Sequence, residues 1–194
     1  MTGPGDEPVG DPDEDPMPEP RTTAIAGGCL YTLMLTASVT WLAARDRLSQ
    51  LPEAALGEHG VLIAAASGLG LGLLGYGFHS LVLRRLSVVT AMAAQVRQLF
   101  GAMGEGPVLT LVLIGAVAEE LFFRLAVQDQ FGLAGSVAAY TVMGTGAMGW
   151  RWMPLAALHA AALGSMMLAG CGLLATTTAN AVMNYLILRR MLTS

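Results

Sequence analysis

Glu119, Glu120 and Arg124 stand inside a stretch that is otherwise almost wholly apolar from Val108 to Val127. A helix of about 20 predominantly apolar residues can cross a bilayer. Each charge near its middle costs ~2.5–3.5 kcal/mol on insertion scales, so a charge there faces protein and marks either a packing pair or a functional site. Glu120 and Arg124, four apart with the acid first, are predicted to stack on one helix face as an ion pair. Glu119, about 100° further round the axis, is presented elsewhere. One carboxylate held and one available is an arrangement suited to acid–base work. The plainer alternative is a buried ion pair that fixes helix packing. Of the three histidines, only His159, in Leu155-Ala-Ala-Leu-His159, lies well inside an apolar run. His79 stands beside Ser80 near the end of a run and reads as a packing or interfacial group, and His59 reads as solvated.

The elements that must carry these groups are apolar ones. The chain has 194 residues, 54% of them hydrophobic and only 12% charged, which places it among integral membrane proteins as an all-α, multi-pass transmembrane helical bundle. The net charge of −4 is concentrated, since seven of the fourteen acids precede Arg21 and every positive charge is arginine. Cys29 and Cys171 have no spacing that makes a disulfide framework or a thiolate metal site. No basic face with interleaved aromatics exists, so nucleic acid is excluded as a partner.

Met1 to Pro20 alternates proline with acids and has little to bury; residues 1–22 read as a disordered acidic tail, and 23–194 as the membrane-embedded domain. Apolar runs follow at Ala24–Ala44, Gly60–Leu83, Pro107–Gln128, Leu133–Met148, Met153–Ala169 and from Leu173 to Arg189 and Arg190, giving six spans. Gly70, Gly72 and Gly75 have the spacing of a dinucleotide-binding loop, but that loop needs a preceding strand. In mid-helix, Gly68 and Gly72 instead form a small-xxx-small pair that lets a neighbouring helix approach. Leu86–Met103 is too polar to span and reads as an amphipathic surface helix. Arginine asymmetry across the connections places both termini in the cytoplasm.

Glu119-Glu120-Leu-Phe-Phe-Arg124 resembles the E-E-x-x-x-R motif of the CPBP family, the CAAX-protease and bacteriocin-processing intramembrane peptidases. Gly172 to Arg190 resembles that family's last catalytic helix, and the likeness extends from about Leu86 to the C-terminus. The resemblance implies a bacterial plasma-membrane protein acting on a membrane-embedded peptide or protein, with zinc as its implied metal. It makes Glu119 the activating acid, Glu120 and Arg124 the rest of the first motif, and Asn184 an oxyanion donor. The family's F-x-x-x-H motif falls on Tyr140-Thr-Val-Met-Gly144 and its H-x-x-x-N motif on Asn180-Ala-Val-Met-Asn184, so Gly144 and Asn180 stand where histidines are expected. Neither can take up a proton near neutral pH or bind a metal as imidazole does, which argues against zinc and predicts impaired catalysis. His159 is the one candidate substitute.

Three readings stay open at this level: an intramembrane endopeptidase with a remodelled site, a catalytically silent member that binds a partner or peptide in the bilayer, and a small transporter subunit with a Glu–Arg relay. The absence of an internal repeat weighs against the last.

Overall fold

The computed structural model describes residues 20–81 and 85–193. Helices α1 (Pro20–Ala44), α2 (Leu51–Leu56), α3 (Gly60–Leu81), α4 (Ser87–Phe100), α5 (Glu105–Glu120), α6 (Gln128–Met148), α7 (Met153–Leu168) and α8 (Gly172–Thr193) make an all-helical bundle, with no strand among the described residues. The expected tail falls on residues 1–19, outside those described, and the first helix opens at Pro20 rather than after residue 22. Short α2 occupies what reads in sequence as a polar connection; its proline near the start, where a backbone N–H has no helical partner, is compatible with a helix.

The bundle is organised on α8, which packs against α3, α5, α7, α4 and α2. Its most extensive interface is with α3, and the glycines of α3 make it possible. A side chain at Gly68 would strike the carbonyl oxygen of Ala175 and lie 2.8 Å from the Thr178 Cβ. One at Gly72 would lie 2.9 Å from both the Ala179 oxygen and the Val182 Cβ. The glycine run is therefore a packing surface, as its mid-helix position predicts. The apolar face of α4 buries Val89 and Val96 against Met191 at the end of α8.

Between α5 and α6 the residues Leu121–Val127 form a π-helical segment, so one helical rod runs from Glu105 until Gly132, whose backbone (φ 69°, ψ −178°) is non-helical. That positive φ is cheap only for glycine, and it separates the opening helix from the Gly- and Ala-rich one at the position the sequence indicates.

The core is mostly apolar, with Phe123 and Leu163 among its largest members, but it also encloses a set of polar side chains. Among the largest fully buried side chains are Arg124, Glu120, Asn180, Thr176, Ser38 and Ser136, whereas Leu62 is 84% exposed and Leu74 72%. Scattered exposed leucines are ordinary, but buried polar groups beside so much exposed aliphatic surface are the informative combination. By length and composition, two helices among the described residues, Arg21–Ala44 and Gly60–Leu81, are apolar enough on their own to cross a membrane.

Candidate functional site: an acidic pair clamped by one asparagine

The last turn of α5 delivers Glu119 and Glu120 in different directions, as helical geometry requires. Glu120 is fully buried and its Oε2 accepts from Arg124 Nε at 3.1 Å. Arg124 is the start of a longer chain of polar contacts. Its Nη1 donates to Ser136 Oγ at 3.0 Å and approaches Gln128 Oε1 at 3.5 Å. Ser136 Oγ donates to the Phe123 carbonyl, and Gln128 Nε2 donates to the Gly164 carbonyl at 2.9 Å. Gly164 has to be glycine for this closeness, since a Cβ there would lie 2.8 Å from Gln128 Oε1 and 3.2 Å from Arg124 Nη1. The network thus ties the π-helical segment to α6 and α7. Such segments recur at functional sites because they re-aim side chains that a regular helix would stack.

From the opposite side comes Asn180 of α8, wholly buried. Its Nδ2 donates to Glu119 Oε2 and to Glu120 Oε1, each at 3.1 Å. An amide nitrogen carries two hydrogens, so each acid receives one. Asn184, one turn on, donates to Asn180 Oδ1 at 2.7 Å. Glu119 is half-buried, lies beside Tyr140, and lines a cavity of about 240 Å³ together with Tyr31, Gly115 and Asn184.

Five of the six candidates from the sequence therefore form one connected group: Glu119, Glu120, Arg124, Asn180 and Asn184. His159, the candidate substitute, lies on α7 alongside them. Its ring sits 5.5 Å from that of Tyr140 and beside Asn180, and its Nε2 is buried with no hydrogen-bond partner among the described residues. It lines a second cavity, about 170 Å³, shared with Tyr140, His79 and Asn184. A side chain at Gly144 would meet Ala156 on α7 and Trp152 just before it, at 3.7 and 3.8 Å. Tyr140, one helical turn earlier on the same face of α6, lies against Glu119 and Phe123.

Sequence reasoning missed Gln128, Ser136, Tyr140 and Gly164. Gln128 was accessible in principle, since it continues the i, i+4 stripe of Glu120 and Arg124. Ser136 and Gly164 act across helices and leave no local signature.

The donor set does not fit zinc. Among the described residues no three His, Cys, Asp or Glu side chains gather as a cation site, and the two carboxylates are bridged by an amide where imidazole would be needed. No protein-family model, curated protein or solved structure matches this chain.

Proposed function

We propose that this chain is a multi-pass integral membrane protein, with six spanning helices and both termini cytoplasmic, that acts as an intramembrane endopeptidase with a remodelled site. The supporting observation is the placement of His159: an imidazole with an unpartnered nitrogen beside the asparagine that clamps Glu119. The polar groups buried beside extensive exposed aliphatic surface, and the two apolar helices, support the membrane setting.

In this reading the second oxygen of Glu119 takes a proton from a water molecule, and the hydroxide adds to the carbonyl carbon of the scissile peptide. The free N–H of Asn184 donates to the oxyanion that forms. The proton held by Glu119 returns through His159 to the leaving nitrogen, the C–N bond breaks, and a carboxyl and an amine result. Glu120 and Arg124 take no part in bond making; they hold Glu119 and the π-helical segment in place.

One observation favours a second reading, a silent peptide-binding member of the same architecture. Asn180 engages both acids at once, an arrangement that serves equally as a structural clamp with no catalytic turnover.

The deciding experiment presents a library of transmembrane peptides to the full chain in detergent or nanodiscs. Cleavage abolished by Glu119→Gln and by His159→Ala supports the peptidase. Peptide cross-linking without cleavage, unaffected by His159→Ala, overturns it in favour of the binding member. A chain that stays in solution without detergent overturns the membrane reading altogether.

A further inference from the structure

Arg124 has a second side. Its Nε and Nη1 are taken up by Glu120, Ser136 and Gln128, but its Nη2 is buried with no hydrogen-bond partner among the described residues, although the side chain is wholly withdrawn from solvent. A buried charged donor left unsatisfied is costly, and native structures supply a partner for such groups. Arg124 lines a cavity of about 380 Å³ with Arg47, Gln50, Gln128 and Asp129. This cavity lies between the end of α1, short α2, the start of α6 and the end of α7, and none of Glu119, His159 or Asn184 borders it.

The geometry points to an oxyanion site here, with a phosphate group as its ligand. Three features argue for it. Arg124 keeps the N–H donors of Nη2, on a charged guanidinium suited to phosphate or carboxylate oxygens, free of any partner among the described residues. A second arginine, Arg47, stands at the rim, where it pairs with Asp129 at part-exposed positions. The amides of Gln50 and Gln128 add neutral hydrogen-bonding capacity without repelling an anion. The space far exceeds what one carboxylate fills. It also lies where the apolar runs of α1 and α7 stop, with Leu42 and Leu168 on its wall. In a chain that spans a bilayer this is the level of the lipid headgroups, so the phosphodiester of an anionic phospholipid and free phosphate share the required chemistry. Only the choice of carrier rests on the membrane reading; the anion site itself stands apart from the peptidase reading.

Full-length protein purified in detergent is examined by native mass spectrometry for retained phospholipid. Its melting is followed with inorganic phosphate and with phosphatidylglycerol or phosphatidylcholine added. Retention of phosphatidylglycerol is expected, reduced about tenfold or more in Arg124→Gln, the scale of a lost charge-assisted hydrogen-bond pair. Because Arg124→Gln also strips Glu120 of its partner and can fail to fold, Ala54→Trp is the second variant. It occupies the cavity from α2 while leaving Arg124 and its bonds to Glu120 and Ser136 in the chain, and should abolish retention while leaving peptide cleavage or cross-linking as in wild type. A melting shift with phosphate but no retained lipid upholds the anion site and makes free phosphate its ligand. Equal retention in wild type and Ala54→Trp, or no response to any of the three probes, overturns the site.

Discussion

Asn184 Nδ2 donates to Asn180 Oδ1 at 2.7 Å across one turn of α8, and this bond decides which way the Asn180 amide faces. Nitrogen and oxygen of an amide are told apart by their hydrogen-bond partners. With its oxygen held by Asn184, Asn180 presents its nitrogen to the two acids. Two adjacent carboxylates, one of them wholly buried, need those donors, since among the described residues Arg124 alone pairs with them, through Glu120.

Asn180→Asp should therefore be among the most damaging changes in the bundle. It removes both donors and places a third carboxylate against the first two, a loss on the order of 3 kcal/mol or more if all are ionised. Asn184→Ala leaves both acids bonded and should cost about 1 kcal/mol. Thermal melting in detergent compares the two. An Asn184→Ala loss equal to that of Asn180→Asp would show that the amide orientation is reversed.

The ion pair yields a second comparison. Arg124→Leu strands Glu120, whose side chain is wholly buried, and also releases Ser136. Removing one partner of a buried pair costs about 3–5 kcal/mol. Glu119→Gln keeps an acceptor for Asn180 at a half-buried position and should cost much less. Melting temperatures in the reverse order would mean that the roles of the two glutamates are exchanged.

The glycines of α3 allow a test within one helix. A side chain at Gly68 meets the backbone of α8, which has no room to yield, whereas one at Gly70 meets nothing within 4 Å. Gly68→Leu should lower stability by about 3 kcal/mol or prevent accumulation, the upper end of overpacking losses, and Gly70→Leu should be close to neutral. Expression and melting read the difference. Equal tolerance of both would mean that α3 packs on α8 through another face.

These comparisons also mark what could be read from residues alone. The division of labour between Glu119 and Glu120 follows from helical angle and the i, i+4 rule, and the structure places Glu120 on Arg124 as that rule requires. The packing role of Gly68 and Gly72 follows from their setting in an apolar helix. The placement of His159 does not, because it depends on how α6 and α7 fold back on each other at Gly149, where the backbone again has positive φ (81°). A motif spacing read along one helix assigned the imidazole position to Gly144. His159 approaches Tyr140 and Asn180 from the neighbouring helix, and the glycines that permit close contact there carry no local sign of what they contact.

That shift of register gives the last prediction. Asn180 touches both acids, so Asn180→His brings an imidazole to two carboxylates and supplies the nitrogen–oxygen donor set that divalent zinc takes. Gly144→His points at Ala156 and Trp152 and adds no ligand to that group. Zinc affinity, measured by calorimetry on detergent-purified protein, should rise above wild type in Asn180→His and fall about tenfold or more when Glu119→Gln is added, the scale on which a lost ligand or its support acts. Gly144→His alone should leave it at the wild-type level. A gain from Gly144→His equal to that from Asn180→His would restore the original register of α6 and remove His159 from the centre. Without such a gain, the acids, Asn180 and His159 form one site contributed by α5, α8 and α7.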